Sequence, residues 1–429
     1  MTDRRCIAMV DCNSFYASCE RLIDPTLSDR PVAVLSSNDG CIIARTDEVK
    51  ALGIGMGVPL FKVRDLVERH GVVIRSANFD FYVDVSARIM RLLIELAPQT
   101  EVYSIDEAFL DLSGMGRFFD VLALGRQIRE RVWAEVGIPV SVGLAPTKVL
   151  AKVANQLAKK RKTYVEALLA PGAAATALAS YPIENVWGIG PRTARKFHLR
   201  GVRFAAELAQ QPDALVFKLC SVTEVRVVRE LRGITALALT PVHKPKAHIA
   251  TSRSFGHDIA RYADLREAVS YFTTYAAIKL RKQHSAAGAV YVYARTNPFR
   301  KGATQAVVGR LVRLPVPTDH TPTLIKAALA GLEAVYRPDL AYKKAGVVLY
   351  EIVPADALQA SLFAELPNGR RSRISRVADG LNQRFGKFTL NWAVYHGEQK
   401  QWMPLSEYRA KPIDLEVTEA DRDRVRPWW

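Results

Sequence analysis

Two adjacent carboxylates, Asp106 and Glu107, stand in an apolar frame, with Val102-Tyr103 before them and Ala108-Phe109-Leu110 after. Both flanks read as β-strands, so the acids sit at or near a hairpin turn. Acids at a tight turn ordinarily serve solubility or turn chemistry. Asp11 changes that reading, because it ends a second apolar run, Cys6-Ile7-Ala8-Met9-Val10, with the character of a buried strand. Neighbouring strands lie about 5 Å apart, so pairing the two runs would gather three carboxylates. Like charges at that range repel unless a cation neutralises them, and hard oxygen ligands suit Mg²⁺.

The surrounding pattern places these runs in a fold. Asp84 to Leu96 is a strongly amphipathic helix, a second helix is expected around Phe118 to Val136, and Pro139 to Leu144 is a strand. The resulting order, strand–helix–strand–strand–helix–strand, is that of a ferredoxin-like α+β sheet. A small unit is inserted early: strands Pro31–Leu35 and Cys41–Ala44 flank the turn signal Ser37-Asn38-Asp39-Gly40, and a helix is expected over Arg45 to Leu52. Arg45 and Lys50 there are surface charges or phosphate contacts. After Asp11, Asn13 or Ser14 caps a helix start. Phe15 and Tyr16 would ordinarily be core aromatics, but Tyr16 lies close enough to Asp11 to face whatever a metal holds. In the helix expected from Thr147 to Lys160, Lys148, Lys152, Asn155 and Lys159 fall within an arc of about 60°. Such a stripe is either a wet face or, beside a metal, a means of neutralising a triphosphate.

A chain of 429 residues has room for several domains. Its net charge of +17 is uneven: residues 166–352 carry 26 Lys and Arg against 13 Asp and Glu, so most of the excess lies in the middle. An excess confined to one long segment points to a polyanion, with nucleic acid ahead of acidic lipid. The five cysteines form no C-x-x-C and have no histidines at zinc spacing, which suits reduced thiols in a cytoplasmic protein. The start of the chain resembles no signal peptide, and the longest uncharged stretch is broken by Pro171, Gly172 and Pro182, a poor membrane span.

Residues 166–240 read as helical. Within them Val186-Trp187-Gly188-Ile189-Gly190-Pro191-Arg192 sets a Gly-x-Gly turn between helices, a helix-hairpin-helix pattern in which Gly188, Gly190 and Arg192 would approach a DNA backbone. A Pro- and Lys-bearing linker, Thr240 to Lys246, marks a boundary. Residues 247–352 alternate strands and helices as a second α+β unit, with Arg253, Arg295, Arg310 and Arg313 on or beside its strands; Arg253 and Arg310 are the DNA-contact candidates. Residues 353–429 suggest a small, partly ordered appendage, in which Gln359, Leu362 and Phe363 form a Q-x-x-L-F peptide.

The stretches D-C-N-S-F-Y-A-S-C-E (Asp11–Glu20), Y-S-I-D-E-A-F-L-D-L (Tyr103–Leu112) and V-G-L-A-P-T-K-V-L-A-K (Val142–Lys152) together resemble the Y-family translesion DNA polymerases, of the UmuC type. The likeness extends over nearly the whole chain, through Val186–Gly190 and Ser252–Gly256. It implies a right-hand architecture: palm at 1–30 and 76–165, fingers at 31–75, helix-hairpin-helix thumb at 166–240, little finger at 247–352 and a UmuC-type tail at 353–429. It also implies error-prone, template-directed synthesis in the SOS response with two Mg²⁺ ions. Asp11, Asp106, Glu107 and the Cys12 carbonyl match the metal ligands, and Tyr16 the steric gate against ribonucleotides. Lys159, Arg45 and Lys50 match triphosphate positions, with Phe15 and Lys152 as further triphosphate candidates beside the acids, and Gln359 to Phe363 match a sliding-clamp peptide. Asp47 departs from the pattern, since many members carry tyrosine there. A UmuD′-like dimer and a RecA filament are the partners the resemblance suggests.

The chemistry fits the residues independently, because phosphoryl transfer asks a protein for alignment and charge neutralisation. A non-catalytic scaffold is the alternative, but such a protein would be free to lose its carboxylates, and all three are present. A palm-type nucleotide cyclase explains the acids and leaves the basic middle segment unexplained.

Overall fold

The computed structural model describes residues 5–240, 245–356, 369–386, 389–392, 402–411 and 422. They form two compact units: described residues of 1–36, 41–243 and 408–429 make the first, those of 37–40 and 244–407 the second.

The first unit runs β1 (Ile7–Cys12), α1 (Phe15–Ile23), β2 (Val32–Leu35), β3 (Ile42–Arg45), α2 (Asp47–Ala51), α3 (Leu60–Arg69), β4 (Val73–Ser76), α4 (Phe79–Leu96), β5 (Gln99–Val102), β6 (Glu107–Asp111), α5 (Val121–Val136), β7 (Val140–Ala145), α6 (Lys148–Arg161) and β8 (Val165–Ala167). Five helices follow: α7 (Ala173–Leu178), α8 (Pro191–His198), α9 (Ala205–Ala209), α10 (Asp213–Leu219) and α11 (Val222–Leu231). The main sheet has the order β5-β6-β1-β7-β8. β1 pairs antiparallel with both β6 and β7, the ferredoxin-like core expected from the pattern, and β8 adds a parallel edge. β1 and β7 are central and covered on both faces, which is why both read as continuous apolar runs. The inserted sheet is β3-β2-β4, with β4 parallel to β2.

Several boundaries differ from the sequence reading. α4 starts at Phe79 rather than Asp84, because Phe81, Tyr82 and Val83 continue its buried face. α5 starts at Val121, where the Asp120 carboxylate accepts the Leu122 N–H; Phe118 and Phe119 before it are exposed. Arg45 belongs to a strand and not to a helix: it ends β3 opposite Ala33, and an extended Thr46 separates it from α2. β4, β8 and α3 were not anticipated. The first two are too short to show a period.

The second unit is β9 (Ile249–Ile259), α12 (Tyr262–Lys282), β10 (Ser285–Thr296), β11 (Val307–Thr318), α13 (Thr321–Glu333), β12 (Tyr342–Pro354) and α14 (Gly369–Phe385). Its sheet has the order β11-β10-β12-β9, antiparallel throughout. Val290, Val292, Ala294, Ala345 and Val347 bury one sheet face against α12 and α13. Beyond residue 353 the described parts include α14 and Trp402. α14 is held by a two-pronged ion pair from Arg281 to Asp379, and Trp402 is fully buried against Tyr271 and Phe272. Gln359, Leu362 and Phe363 lie outside the described residues. All five cysteines are free thiols. Among the described residues no helix is long and apolar enough to cross a membrane.

Candidate active site

The register of the main sheet sets the geometry. Asp11 on β1 stands directly opposite Glu107 on β6, and the Cys12 N–H donates to the Asp106 carbonyl at 2.9 Å. Residues directly opposite in a sheet have Cβ atoms about 5 Å apart, so the three acids separated in sequence form one corner. The Ser104 hydroxyl donates to Asp106 Oδ1 at 2.6 Å, and the Asp106 N–H returns a bond to Ser104 Oγ.

α6 brings its cations to the same corner. Lys159 engages the Asp11 carboxylate, and Lys152 Nζ lies 2.8 Å from Glu107 Oε1. The stripe is therefore no wet face. Lys148 is buried against Glu101 at 2.7 Å, and buried Asn155 donates to the Met9 and Ser141 carbonyls. Thr147 caps the helix and also donates its hydroxyl to the Glu230 carbonyl.

Burial is the chief influence on the acids and holds both Asp11 and Asp106 above the usual carboxylate range. For Asp11 the Lys159 ammonium opposes that rise and the Glu107 charge adds to it. For Asp106 the Ser104 hydrogen bond opposes it and the Asp11 charge adds to it. Burial, followed by the Asp106 and Asp11 charges, also pushes the Cys12 thiol well up, leaving its backbone carbonyl as the hard donor.

Among the described residues no three His, Cys, Asp or Glu side chains form a ready-made metal cage, and two lysine ammoniums engage Asp11 and Glu107. The donor set nonetheless fits a hard divalent cation: carboxylate oxygens only, partly desolvated, mutually repelling, and already drawing two cations to themselves. Asp11, Asp106, Glu107 and the Cys12 carbonyl are the atoms that could hold it.

Tyr16 lies on α1 with its ring stacked on Tyr82 at 4.7 Å and edge-on to Phe79 at 5.8 Å. Burial raises its hydroxyl pKa, and the Asp106 charge raises it further. Phe15 is buried in the core, so it offers a phosphate only its backbone. Lys50 Nζ donates to Ser14 Oγ at 2.9 Å and to Asp47 Oδ1 at 2.7 Å, and the buried Nε of Arg45 has no hydrogen-bond partner among the described residues.

In the hairpin, Gly188 has φ +89°, and a Cβ there would lie 2.8 Å from Val227. Gly190 caps α8, Pro191 opens it, and Arg192 is exposed. In the second unit the expected arginines separate by face. Arg310 stands opposite core Val292 and Arg253 opposite core Ala345, with Arg253 lying over the Tyr271 ring, so both belong to the helix-covered face. The open face carries Tyr291, Tyr293, Arg295 and Lys344 instead, and Arg295 stands directly opposite Lys344. Ser104, Glu101 and Glu230 were not singled out from the sequence. Only their hydrogen bonds in the folded chain give them away.

A fold of this kind, an α+β chain with a carboxylate corner on a ferredoxin-like sheet, is that of a Y-family DNA polymerase: a solved Y-family polymerase chimera superposes with a TM-score of 0.65 at 19% identity, covering 81% of this chain and 99% of that one. The pattern of the impB/mucB/samB family matches residues 10–156, and that of the family's C-terminal domain matches residues 246–362. The protein UmuC of Salmonella typhimurium is 39% identical over 92% of this chain and 94% of its own. MucB of Escherichia coli is 39% identical over 90% and 92%, and DNA polymerase IV of Moorella thermoacetica 31% over 90% and 95%. The chain belongs to the impB/mucB/samB family, the UmuC-type branch of the Y-family polymerases. Polymerases of this kind work with divalent metal ions.

Proposed function

We propose that this protein joins deoxynucleotides to a primer by two-metal-ion nucleotidyl transfer, with Asp11, Asp106, Glu107 and the Cys12 carbonyl as ligands of two Mg²⁺ ions. As a member of its family it is a DNA-directed DNA polymerase, and its work is error-prone translesion synthesis in the SOS response. The single observation that carries the assignment is the register that sets Asp11 opposite Glu107 while Cys12 bonds to Asp106. When bound, the ions supply a Lewis acid for the primer hydroxyl and charge neutralisation for the leaving pyrophosphate.

The chain's own residues do the rest. The carboxylates fix where positive charge accumulates, and the Ser104 hydrogen bond fixes Asp106. Lys159 is long enough to leave Asp11 and follow the negative charge of a triphosphate, with Arg45, Lys50 and the Phe15 backbone as further contacts. The unpartnered Arg45 Nε supports a ligand for that side chain. Tyr16, braced by Tyr82, walls the sugar against a 2′-hydroxyl.

We assign the palm to 1–30 and 76–165, the fingers to 31–75, the thumb to 166–240, the little finger to 247–352 and the tail to 353–429. Gly188, Gly190 and Arg192 grip the DNA backbone, Gln359, Leu362 and Phe363 dock a sliding clamp, and the partners are a UmuD′-like dimer and a RecA filament in the cytoplasm. Primer extension by Asp106→Ala tests the reading: synthesis is expected to vanish while DNA binding persists. Undiminished extension by the purified variant would remove it.

A further inference from the structure

Its place on the lysine stripe beside the acids makes Lys152 a candidate triphosphate contact, yet its surroundings are unlike those of a side chain free to swing. Its ammonium lies 4.7 Å from the Tyr103 ring centroid, 5.3 Å from that of Trp187 and 5.9 Å from that of Phe109. Its charge is paired with Glu107 at 2.8 Å, with 15% of the lysine side chain exposed. The cage is itself braced: Tyr103 and Trp187 meet edge-to-face at 5.3 Å, and the Trp187 indole N–H donates to the Tyr103 hydroxyl at 3.1 Å. Ring faces hold an ammonium most strongly where water is scarce. Lys159, by contrast, is 34% exposed and has no ring contact among the described residues.

We propose that Lys152 is a positioning residue for Glu107, a caged counter-ion that competes with the divalent ion for this carboxylate, and that Trp187 ties its hold to the Gly188–Gly190 hairpin. The proposal rests on the metal-ligand reading of Glu107. An ammonium fixed beside a ligand oxygen neutralises the corner when no ion is present and repels an ion that enters. Because Trp187 directly precedes Gly188, a hairpin that shifts onto a DNA backbone carries one wall of the cage with it. Release of Lys152 from Glu107 would then accompany DNA engagement, so the corner takes up its ion when primer and template are in place.

The test uses the full-length protein. Binding of Mn²⁺ alone, followed by the electron paramagnetic resonance of the free ion, gives a readout independent of catalysis. Lys152→Met keeps the stem and removes the charge; it is expected to bind Mn²⁺ about fivefold more tightly and to need correspondingly less Mg²⁺ for half-maximal extension, while the dNTP KM stays within about twofold. Lys152→Arg, which keeps charge and ring contact, is expected to behave as the parent. Trp187→Leu should move Mn²⁺ affinity in the direction of Lys152→Met, and Trp187→Phe should not. Unchanged Mn²⁺ affinity in Lys152→Met overturns the proposal, as does a dNTP KM raised about tenfold, the mark of a triphosphate contact. Extension surviving in Asp106→Ala would instead remove the two-ion reading beneath it, so the two failures are distinguishable.

Discussion

Gly143 on β7 lies so close to Asn155 on α6 that a Cβ at position 143 would sit 2.2 Å from the Asn155 backbone nitrogen and from the Ala151 carbonyl oxygen. This approach lays α6 directly on the sheet and lets Asn155 bridge the Met9 and Ser141 carbonyls, two strands at once. The same contact sets the reach of Lys152 and Lys159, which leave the same helix toward the acids.

Gly143→Ala is therefore expected to lift α6 off the sheet. Backbone atoms cannot rotate away as a side chain can, so the cost is at or above the upper end of the usual 1–3 kcal/mol or so for overpacking. Thermal denaturation should show a midpoint lower by about 5 °C or more, and primer extension should fall further than stability does, because the lysines move with the helix. A variant with the parent's midpoint and rate would mean that the helix is free to adjust.

How much of this was legible beforehand depends on what each residue's neighbours are. Asp11 and the Asp106-Glu107 pair stood out because they border short apolar runs, and runs this short suit a strand buried on both faces better than a helix. The stripe on α6 was visible as a period, but a period cannot tell whether its polar side meets water or a buried carboxylate. Lys148 and Asn155 turned out to be buried because Glu101 and two backbone carbonyls await them from other strands. For the same reason Arg253 and Arg310 could not be told from Arg295. Which face of a strand is covered depends on register with a distant strand, and that is long-range information.

Tyr16 and Tyr82 stack with an interplanar angle of 19°, which denies the Tyr16 ring the freedom to swing aside for a larger sugar. Tyr16→Ala should raise ribonucleotide incorporation relative to deoxynucleotide by about tenfold or more, read as the ratio of kcat/KM values. Tyr82→Leu, which removes the brace and keeps the Tyr16 ring, should relax the ratio by a smaller factor. Unchanged sugar selectivity in Tyr16→Ala would take the gate away from this residue.

Glu20, fully buried on α1, gives the fold a pH dependence that lies outside the carboxylate corner. Burial raises its pKa above the ordinary 4.5, and the Tyr82 hydroxyl it accepts and the nearby Arg75 only partly offset this. An acid whose folded-state pKa is raised contributes stability that is complete below the unfolded value and lost as pH climbs through the folded one. Melting temperatures are thus expected to decline from about pH 4.5 upward relative to Glu20→Gln, which keeps an acceptor for Tyr82 and carries no charge. A tenfold difference in proton affinity between the folded and the unfolded chain corresponds to about 1.4 kcal/mol. Parallel profiles for the parent and Glu20→Gln would show that the carboxyl ionises without penalty.

Arg295 and Lys344 face each other directly across β10 and β12, and neither has an ion pair among the described residues. Like charges in that position destabilise a sheet unless an anion lies between or above them. With the stacked rings of Tyr291 and Tyr293 beside them, 6.0 Å apart, the open face of the second unit has the chemistry that the proposed DNA contact requires, in keeping with the charge excess of residues 166–352. Arg295→Ala and Lys344→Ala should each weaken DNA binding about equally for every sequence and flatten the dependence of log K on log salt by about one unit. Arg253→Ala, on the covered face over Tyr271, should leave the salt slope as it is. If Arg253→Ala changes the slope and Arg295→Ala does not, DNA lies on the helical side of this sheet.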